Sequence, residues 1–401
     1  MDRRFIALAA ALACAACAST PEAARIDDAA REHMAAANVT GLGIAIVEGG
    51  EVRLARAYGH ADAARGLELS PDSIMHAASL TKPAFAYMVL QLADEGLLDL
   101  DQPIAELLPR PLPTYARYAD LADDERWRLL TPRMLLSHTS GLPNWRRFTE
   151  SGRIQFFYQP GAHYNYSGEG LQILQLTLEQ GLGLDVAAEM QRRVFDRFGM
   201  TQTSMIWRDA FAPLAAIGHD ADGAPAPPLR FDRPMAAGSM STSLADYARF
   251  VAGILRGDGL SEGAHAEMLR TQINIDSVRQ FPAPPPNLDT DWRTSAWEAI
   301  GLGYGLGWGV YEGSRGRAFF KEGNDDGWSH VTLAFAEDQA ALVLMSNSNN
   351  AQGVFAYLIE DLAGEACLPW FWMGYTPHDR PQFAPPSALA DAPPPCTPLR
   401  P

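Results

Sequence analysis

Lysine is almost absent from this sequence of 401 residues: among its 32 lysines and arginines, only Lys82 and Lys321 are lysines. Arginine therefore supplies nearly every cation of the surface. An arginine side chain keeps its proton at accessible pH, whereas a desolvated lysine can lose it. The two positions that retain lysine are therefore candidates for acid–base chemistry.

Positive charge is in short supply overall, because 48 acidic residues leave a formal charge of −16. A chain of this charge is repelled by phosphate backbones and anionic headgroups, which excludes nucleic acid and anionic membrane surfaces as expected partners. The nine histidines show no His-Glu-x-x-His pattern or other close ligand spacing. We therefore expect neither a metal ion nor an organic cofactor.

The apolar run near the amino terminus, residues 5–13, is too short to span a bilayer as a permanent helix. Two arginines precede it and small residues follow it, which is typical of a secretory signal peptide over residues 1–18. Its end has two interpretations, cleavage at Ala16-Cys17-Ala18 or lipid attachment to Cys17. We expect an exported, periplasmic protein whose one route to the membrane is a lipid anchor at Cys17.

Cysteine is also scarce, since only Cys367 and Cys396 remain beyond the predicted signal peptide. Disulfides persist in the compartment that an exported protein reaches. We expect these two cysteines to pair. The alternative is two unpaired thiols in a loose tail.

Hydrophobic periodicity separates two strand-rich ends from a helical middle. The pattern predicts helices at 27–37, 84–95, 171–180, 186–198, 244–255 and 354–363, and strands at 42–47, 52–58, 305–312, 318–322, 329–336 and 340–347. We expect an α/β fold in which one antiparallel sheet is flanked by helices, with an all-helical lobe inserted over about 80–300. The segment 369–401 is rich in proline and alanine, which predicts a tail that wraps the surface or is disordered.

Ser79 stands three residues before Lys82 at the start of a predicted helix. Pro83 is tolerated only near a helix start, which places Ser79 at or just before the first turn. Residues at i and i+3 are neighbours there, so the Lys82 amine can reach the Ser79 hydroxyl. Burial beside another cation would lower the pKa of Lys82 and make it a general base. The alternative is a serine helix cap with a surface lysine.

Six short motifs follow one another along the chain. They are Ala78-Ser-Leu-Thr-Lys82, Leu135-Leu-Ser-His-Thr-Ser-Gly-Leu-Pro143, Pro160-Gly-Ala-His-Tyr-Asn-Tyr-Ser-Gly168, Gly238-Ser-Met-Ser-Thr242 with Asp246, Tyr304-Gly-Leu-Gly-Trp308, and Lys321-Glu-Gly323 with Gly327-Trp328. In this order they resemble the serine β-lactamase-related and penicillin-binding superfamily, which includes class C β-lactamases and family VIII esterases. The resemblance covers about residues 25–365. It implies a β-lactamase/transpeptidase-like fold with the site in a cleft between an α/β lobe and a helical lobe.

The resemblance also implies catalytic roles. Ser79 corresponds to the acylated nucleophile and Lys82 to its partner base. Tyr166, favoured over Tyr164 by its spacing, corresponds to the tyrosine that passes a proton to the leaving group. A tyrosinate would be a reasonable base if Lys82 and Lys321 lowered its pKa. The alternative for Tyr166 is a buried core tyrosine.

The third motif implies a substrate-binding strand. Lys321 would assist Tyr166, Gly323 would leave room for substrate to lie along the strand, and Trp328 would contact it. The amide of Asn324 would pair with the Ser79 amide as the oxyanion hole. The alternative for Lys321 is an ordinary edge-strand lysine.

Two departures from the family pattern bear on the substrate. Gly168 replaces the asparagine that, in β-lactam-processing relatives, holds the lysine and the acylamino side chain of the substrate. Glu322, Asp325 and Asp326 crowd the third motif and would repel a substrate carboxylate. We therefore expect small esters, amides or peptides with neutral or cationic groups.

Other functions remain open. A β-lactamase or D,D-carboxypeptidase acting on carboxylate-bearing substrates is the first alternative, and a catalytically silent peptide- or wall-binding relative is the second. A Ser-His-Asp α/β-hydrolase is disfavoured because the predicted strands do not alternate with helices along the chain. His138 is expected to order its loop.

Overall fold

A computed structural model describes residues 21–281, 293–384 and 393–399 of the chain. The predicted signal peptide, with Cys17, lies outside these residues. Within them, no helix is both long and apolar enough to cross a membrane.

The strands at the two ends of the chain meet in one sheet. Strands in the described residues are β1 (Gly41–Glu48), β2 (Glu51–Asp62), β3 (Leu67–Glu68), β4 (Met75–His76), β5 (Ser241–Thr242), β6 (Ile273–Asn274), β7 (Gly303–Tyr304), β8 (Gly309–Gly313), β9 (Gly316–Asp325), β10 (Trp328–Phe335) and β11 (Ala340–Ser346). Nine of them form an antiparallel sheet in the order β3-β2-β1-β11-β10-β9-β8-β7-β6, and β4 and β5 pair separately. The expectation that early and late strands share one antiparallel sheet is confirmed.

Helices cover both faces of this sheet. They are α1 (Pro21–Ala37), α2 (Thr81–Asp94), α3 (Ile104–Leu107), α4 (Pro132–Leu136), α5 (Gly168–Gly181), α6 (Val186–Met190), α7 (Leu244–Arg256), α8 (Glu262–Leu269) and α9 (Gln352–Ala363). Helices α1 and α9 pack on each other and on the sheet, and their apolar side chains share one core with it. A second core joins the sheet to α2, α5 and α7.

Helix α7 departs from the predicted lobe of residues 80–300, because it packs on β1, β2 and β11 of the sheet. Its start is fixed by Ser243, whose hydroxyl accepts a hydrogen bond from the Asp246 amide at 3.2 Å, and its end by Gly257 in a left-handed conformation with φ of 72°. Between them, Val251 and Ile254 are fully buried. Periodicity identified this apolar face but could not say which surface covers it.

The segment after Pro369 differs from the predicted surface tail. Trp370, Phe371 and Trp372 are buried in the core that α1 and α9 share with the sheet. Burial of such large aromatic side chains is strongly favourable, because it removes their apolar surface from water. A disulfide joins Cys367 to Cys396. The composition of the whole segment, dominated by its last 20 residues or so, concealed this aromatic cluster.

Candidate active site

Ser79 lies on a sharp turn between β4 and α2. Ala78, just before it, has a φ of 46°, a left-handed conformation that is unfavourable for alanine and is concentrated at functional sites. The turn is held from both ends: the Ala77 amide donates to the Met240 carbonyl at 2.8 Å, and the Thr81 hydroxyl donates to the Ala78 carbonyl at 2.7 Å. The Met240 amide in turn donates to the Thr81 hydroxyl at 3.1 Å. The fourth motif, residues 238–242, therefore holds the turn of Ser79 in place.

The side chains of Ser79 and Lys82 are hydrogen-bonded, with Nζ 2.9 Å from Oγ. A second hydrogen bond runs from Lys82 Nζ to the carbonyl of Ala237 at 2.6 Å. Burial lowers the pKa of Lys82 well below 10.5, and the charge of Lys321 lowers it further. Glu322 and Asp325 act in the opposite direction without reversing the shift. A neutral Lys82 keeps an N–H for Ala237 and presents its lone pair to the Ser79 hydroxyl.

Tyr166 is positioned by the start of α5. Ser167 caps this helix by accepting a hydrogen bond from the Gly170 amide at 2.8 Å. The Ser167 amide donates to Nδ1 of His138 at 3.1 Å, and the ring of His138 lies 4.3 Å from the ring of Tyr166. His138 thus orders the loop that carries Tyr166. Tyr164 packs instead against Tyr304, with 5.2 Å between ring centroids.

Both lysines of the chain face the ring of Tyr166. Nζ of Lys82 lies 4.8 Å, and Nζ of Lys321 4.9 Å, from the ring centroid. The condition for a tyrosinate base is not met, because burial and then the charge of Glu322 raise the pKa of Tyr166 well above 10.0. The neighbouring Ser79 hydroxyl lowers the pKa of Tyr166 by less than burial and Glu322 raise it. The two hydroxyl groups do not reach hydrogen-bond geometry. Tyr166 is therefore a neutral phenol, able to donate a proton.

Lys321 is buried completely and is not an exposed edge-strand lysine. Its ammonium group donates to the Glu322 carboxylate at 2.6 Å and to the Glu322 carbonyl at 2.8 Å. Gln280 donates to the same carboxylate oxygen at 2.7 Å. Burial lowers the pKa of Lys321, against the opposing effect of Glu322. The positive charge of Lys321 is thus matched by an internal counter-ion, Glu322.

Gly323 has a different role from the one expected. A β-carbon at this position would lie 2.7 Å from the Ala77 carbonyl oxygen and 3.1 Å from the Leu80 amide nitrogen. The turn of Ser79, and not substrate, fills the space beside the α-carbon of Gly323. Strand β8 pairs with β9 only as far as Phe320, and β9 also contacts the turn of Ser79.

The cleft beside Ser79 has a volume of ≈ 370 Å³. Among the residues that line it are Ser79, Trp145, Arg147, Tyr166, Phe281, Glu322, Asn324 and Asp325. Trp328 is not among them: it lines a neighbouring cavity of ≈ 130 Å³, where its ring meets that of His76 edge to face. The predicted contact of Trp328 with substrate is therefore wrong for this cleft.

Gly168 is covered by an indole ring. A β-carbon here would lie 2.7 Å from Cζ2 of Trp145, and the Gly168 amide donates to the side chain of Asn144 at 3.1 Å. The space that a side chain at position 168 would need is thus filled by Trp145, in the loop that follows Pro143. Sequence reasoning missed Trp145, Arg147 and His76, since none of them belongs to a spacing pattern that indicates chemistry.

Comparison with known proteins agrees with this geometry. A family model described as Beta-lactamase matches residues 26–364. Penicillin-binding protein 4 of Amycolatopsis lactamdurans is 25% identical over 367 residues, covering 85% of this chain and 88% of the relative. Esterase EstB of Burkholderia gladioli is 28% identical over 210 residues, covering 46% of this chain and 52% of the relative.

Among solved structures, the octameric penicillin-binding protein homologue from Pyrococcus abyssi superimposes with a TM-score of 0.68 at 19% identity, covering 90% of this chain and 79% of the other. At this identity the likeness shows the fold alone. The family match and the relatives together support the catalytic class. The chain belongs to the β-lactamase family, and it is a serine hydrolase of the β-lactamase and penicillin-binding superfamily.

Proposed function

We propose that this protein is an exported serine hydrolase that cleaves esters or amides bearing neutral or cationic groups, through an acyl-enzyme formed on Ser79. The observation that carries the proposal is the 2.9 Å hydrogen bond between Ser79 and a buried Lys82 whose pKa is lowered. A nucleophile paired with a desolvated amine is the arrangement that covalent catalysis by serine needs when no Ser-His-Asp triad is present.

Acylation begins when neutral Lys82 accepts the proton of the Ser79 hydroxyl. The oxygen of Ser79 then attacks the substrate carbonyl carbon, and the carbonyl oxygen becomes an oxyanion held by the amides of Ser79 and Asn324. Each such donor is typically worth about 3 kcal/mol of transition-state stabilisation. The bond to the leaving group breaks as Tyr166 gives it a proton, and Tyr166 regains a proton from the Lys82 ammonium group.

Deacylation uses the same groups in reverse. Water enters, loses a proton to Lys82 and attacks the acyl carbon. The bond to the Ser79 oxygen then breaks, Lys82 returns the proton to that oxygen, and the acid product departs. Overall, one ester or amide and one water give one acid and one alcohol or amine. Lys321 supports Tyr166 through its charge, 4.9 Å from the phenol ring.

Electrostatics favour substrates without a carboxylate. Glu322 forms an ion pair with the ammonium group of Lys321, and Asp325 lines the cleft as a second carboxylate. A substrate carboxylate placed beside the third motif would meet two like charges at short range. Trp145 fills the space beside Gly168 that an acylamino-binding side chain would need.

The decisive experiment compares p-nitrophenyl butyrate, a D-amino-acid amide and nitrocefin side by side, with Ser79→Ala as control. We expect turnover of the ester or the amide, lost in Ser79→Ala, and little turnover of nitrocefin. Fast turnover of nitrocefin alone would contradict the substrate class.

A second candidate is a β-lactamase or D,D-carboxypeptidase. Arg147 favours it, because its guanidinium lines the cleft and would attract a carboxylate. A D-Ala-D-Ala peptide added to the same panel tests it directly.

A silent relative is separated from both by mass spectrometry after treatment with a fluorophosphonate. We expect one adduct on Ser79, and its absence under conditions that label a control hydrolase would favour a binding function. Export and lipid attachment are tested by mass spectrometry of the mature amino terminus, with Cys17→Ala as the control for lipid addition.

A further inference from the structure

We infer that Asp325 is a specificity-determining residue, which selects substrates carrying an ammonium group on the acyl side of the scissile bond. The inference rests on the proposed function and names the acyl group that the same site takes. Two contacts place this carboxylate, one with the amide of Asp326 just after β9 and one with His76 of β4, before the turn of Ser79.

The alternation of side chains along β9 puts Lys321, Gly323 and Asp325 on one face. Lys321 faces Tyr166, and Gly323 faces the Ala77 carbonyl. Asp325 reaches His76, three residues before Ser79, with 3.3 Å between Oδ2 and Nε2. The turn of Ser79 thus crosses β9 at Gly323, with Lys321 on one side of it and Asp325 on the other.

The position of Tyr166 assigns these two sides to the two halves of a substrate. Tyr166 gives the leaving group its proton, so the leaving group lies on the side of Lys321 and Lys82. The phenol hydroxyl of Tyr166 is buried and has no hydrogen-bond partner among the described residues, as expected of a group that meets the substrate. The acyl group therefore extends to the other side, toward Asp325.

Asp325 is suited to hold a cation there. Its side chain is 45% exposed and lines the cleft, while His76 donates to Oδ2 and the Asp326 amide donates to Oδ1 at 3.0 Å. Although partial burial raises its pKa, the hydrogen bond from His76 and the charges of His76 and Arg147 leave the pKa below 3.8. The carboxylate is therefore ionised, oriented and open to a ligand from the cleft side.

One cation of the protein competes for this carboxylate. The guanidinium of Arg147 lines the same cleft, 5.3 Å from the ring of Trp145 and 4.7 Å from that of Phe148. Its charge weakens the field of Asp325, and the cleft is open to water. We therefore expect a preference of about fivefold for an ammonium-bearing substrate, the upper end of the range for an exposed ion pair.

The test uses pairs of p-nitroanilides that differ only in the ammonium group: alanyl with propanoyl, and 6-aminohexanoyl with hexanoyl. We expect wild-type kcat/KM to be about fivefold higher for the ammonium-bearing member of at least one pair. Asp325→Asn should bring the ratio of kcat/KM between the two members of the pair close to one, whatever its effect on turnover of the neutral member. The matched control is Asp326→Asn, an exposed neighbour outside the cleft lining, which should keep the preference within about twofold.

A preference that survives in Asp325→Asn, or no preference in wild type, would overturn the inference. Asp325→Ser, with thermal unfolding of each variant, replaces Asp325→Asn if that variant does not fold. Neutral turnover without an ammonium preference would leave the proposed function standing. If no substrate is turned over, calorimetric binding of the alanyl and propanoyl anilides to Ser79→Ala, with and without Asp325→Asn, tests Asp325 independently of catalysis.

Discussion

Gly323 and Ala77 approach so closely that a β-carbon on Gly323 would lie 2.7 Å from the Ala77 carbonyl oxygen. The contact joins strand β9 to the turn that presents Ser79. Leu80 Cγ would lie 3.0 Å from the same β-carbon, but the nearest atom belongs to the backbone, so an added methyl group cannot be accommodated without moving backbone. The position of the nucleophile relative to the strand therefore depends on the absence of one carbon atom.

Gly323→Ala is expected to reduce kcat/KM for a neutral ester by at least about 100-fold, because misplacement of a reacting group by about 1 Å has effects of that size. Circular dichroism and thermal unfolding should show a folded protein. The control is Gly263→Ala in α8, where a β-carbon meets only Ser261 Oγ at 3.9 Å and activity should be unchanged. Equal activity of both variants would contradict the role given to Gly323.

Replacement of the base should be nearly as damaging as removal of the nucleophile. Ser79→Ala should abolish turnover, and Lys82→Arg should lower kcat by at least about 10³-fold, because arginine keeps the charge and cannot accept the Ser79 proton. The measurement is steady-state hydrolysis of p-nitrophenyl butyrate, with fluorophosphonate labelling of Ser79. Most activity retained in Lys82→Arg would refute Lys82 as the base.

The pH dependence of kcat/KM follows from the two pKa shifts at the site. Lys82 acts only when unprotonated, so activity should rise with pH through the pKa of Lys82, well below 10.5. No decline should follow near pH 10, because the pKa of Tyr166 is raised and its phenol keeps its proton. A profile for a neutral ester from pH 5 to about pH 10, corrected for spontaneous hydrolysis, shows whether activity rises through the pKa of Lys82 and then stays level.

Lys321 supplies a check on that profile. Its charge lowers the pKa of Lys82, while Glu322 raises it. Lys321→Gln removes the charge that lowers the pKa of Lys82 and leaves the charge of Glu322, which raises it, without its counter-ion. The rise of kcat/KM should therefore move to higher pH. A limb that moves to lower pH would contradict the electrostatic coupling of the two lysines.

Local geometry explains what could be predicted from the sequence. The contact between Ser79 and Lys82 depends on residues three apart at one helix start, and strand alternation identified most of the sheet. The relationship between His76 and Asp325 spans 249 residues and involves neither periodicity nor a motif, so only the folded chain brings it out. The same holds for Trp145 over Gly168, because a missing side chain does not reveal which residue fills its space.

Two predictions differ from the structure: the surface tail after Pro369, which rested on composition, and the role of Gly323, which rested on its place in the third motif. The aromatic cluster at 370–375 was hidden in a segment whose average is rich in proline and alanine. Gly323 was correctly singled out as a close-approach position, but the approaching group is the backbone of the Ser79 turn and not a substrate. Glycine indicates that something comes near, without saying what.

His330 should make the fold sensitive to acid. It is buried beside the site with Nε2 donating to the His76 carbonyl at 2.9 Å and Nδ1 accepting from the Ser346 amide at 3.2 Å. Burial lowers its pKa from 6.5 to about 4. Below pH 6.5 His330 is protonated in the unfolded chain but stays neutral in the folded protein until the pH approaches about 4. The free energy of unfolding should therefore fall as pH decreases from about 6.5 to about 4.

A shift of this size corresponds to a loss of roughly 3 kcal/mol over that range, at about 1.4 kcal/mol per pKa unit. Denaturant titrations at several pH values should show a shallower dependence in His330→Gln than in wild type. Buried His138, whose pKa is also lowered, contributes equally to both proteins and cancels in the comparison. Identical slopes would contradict the assignment to His330.

Trp145 and Gly168 should behave as an interlocked pair. Gly168→Asn places a side chain where a β-carbon alone would be 2.7 Å from the indole, so the single variant should be destabilised by about 1–3 kcal/mol. Trp145→Ala removes the obstruction, and the asparagine then costs less in the double variant than in wild type. A double-mutant cycle of unfolding free energies should therefore give a favourable coupling of about 1 kcal/mol or more. Additive effects would mean that the indole does not restrict position 168, and the loss of an acylamino-binding side chain would then be unrelated to Trp145.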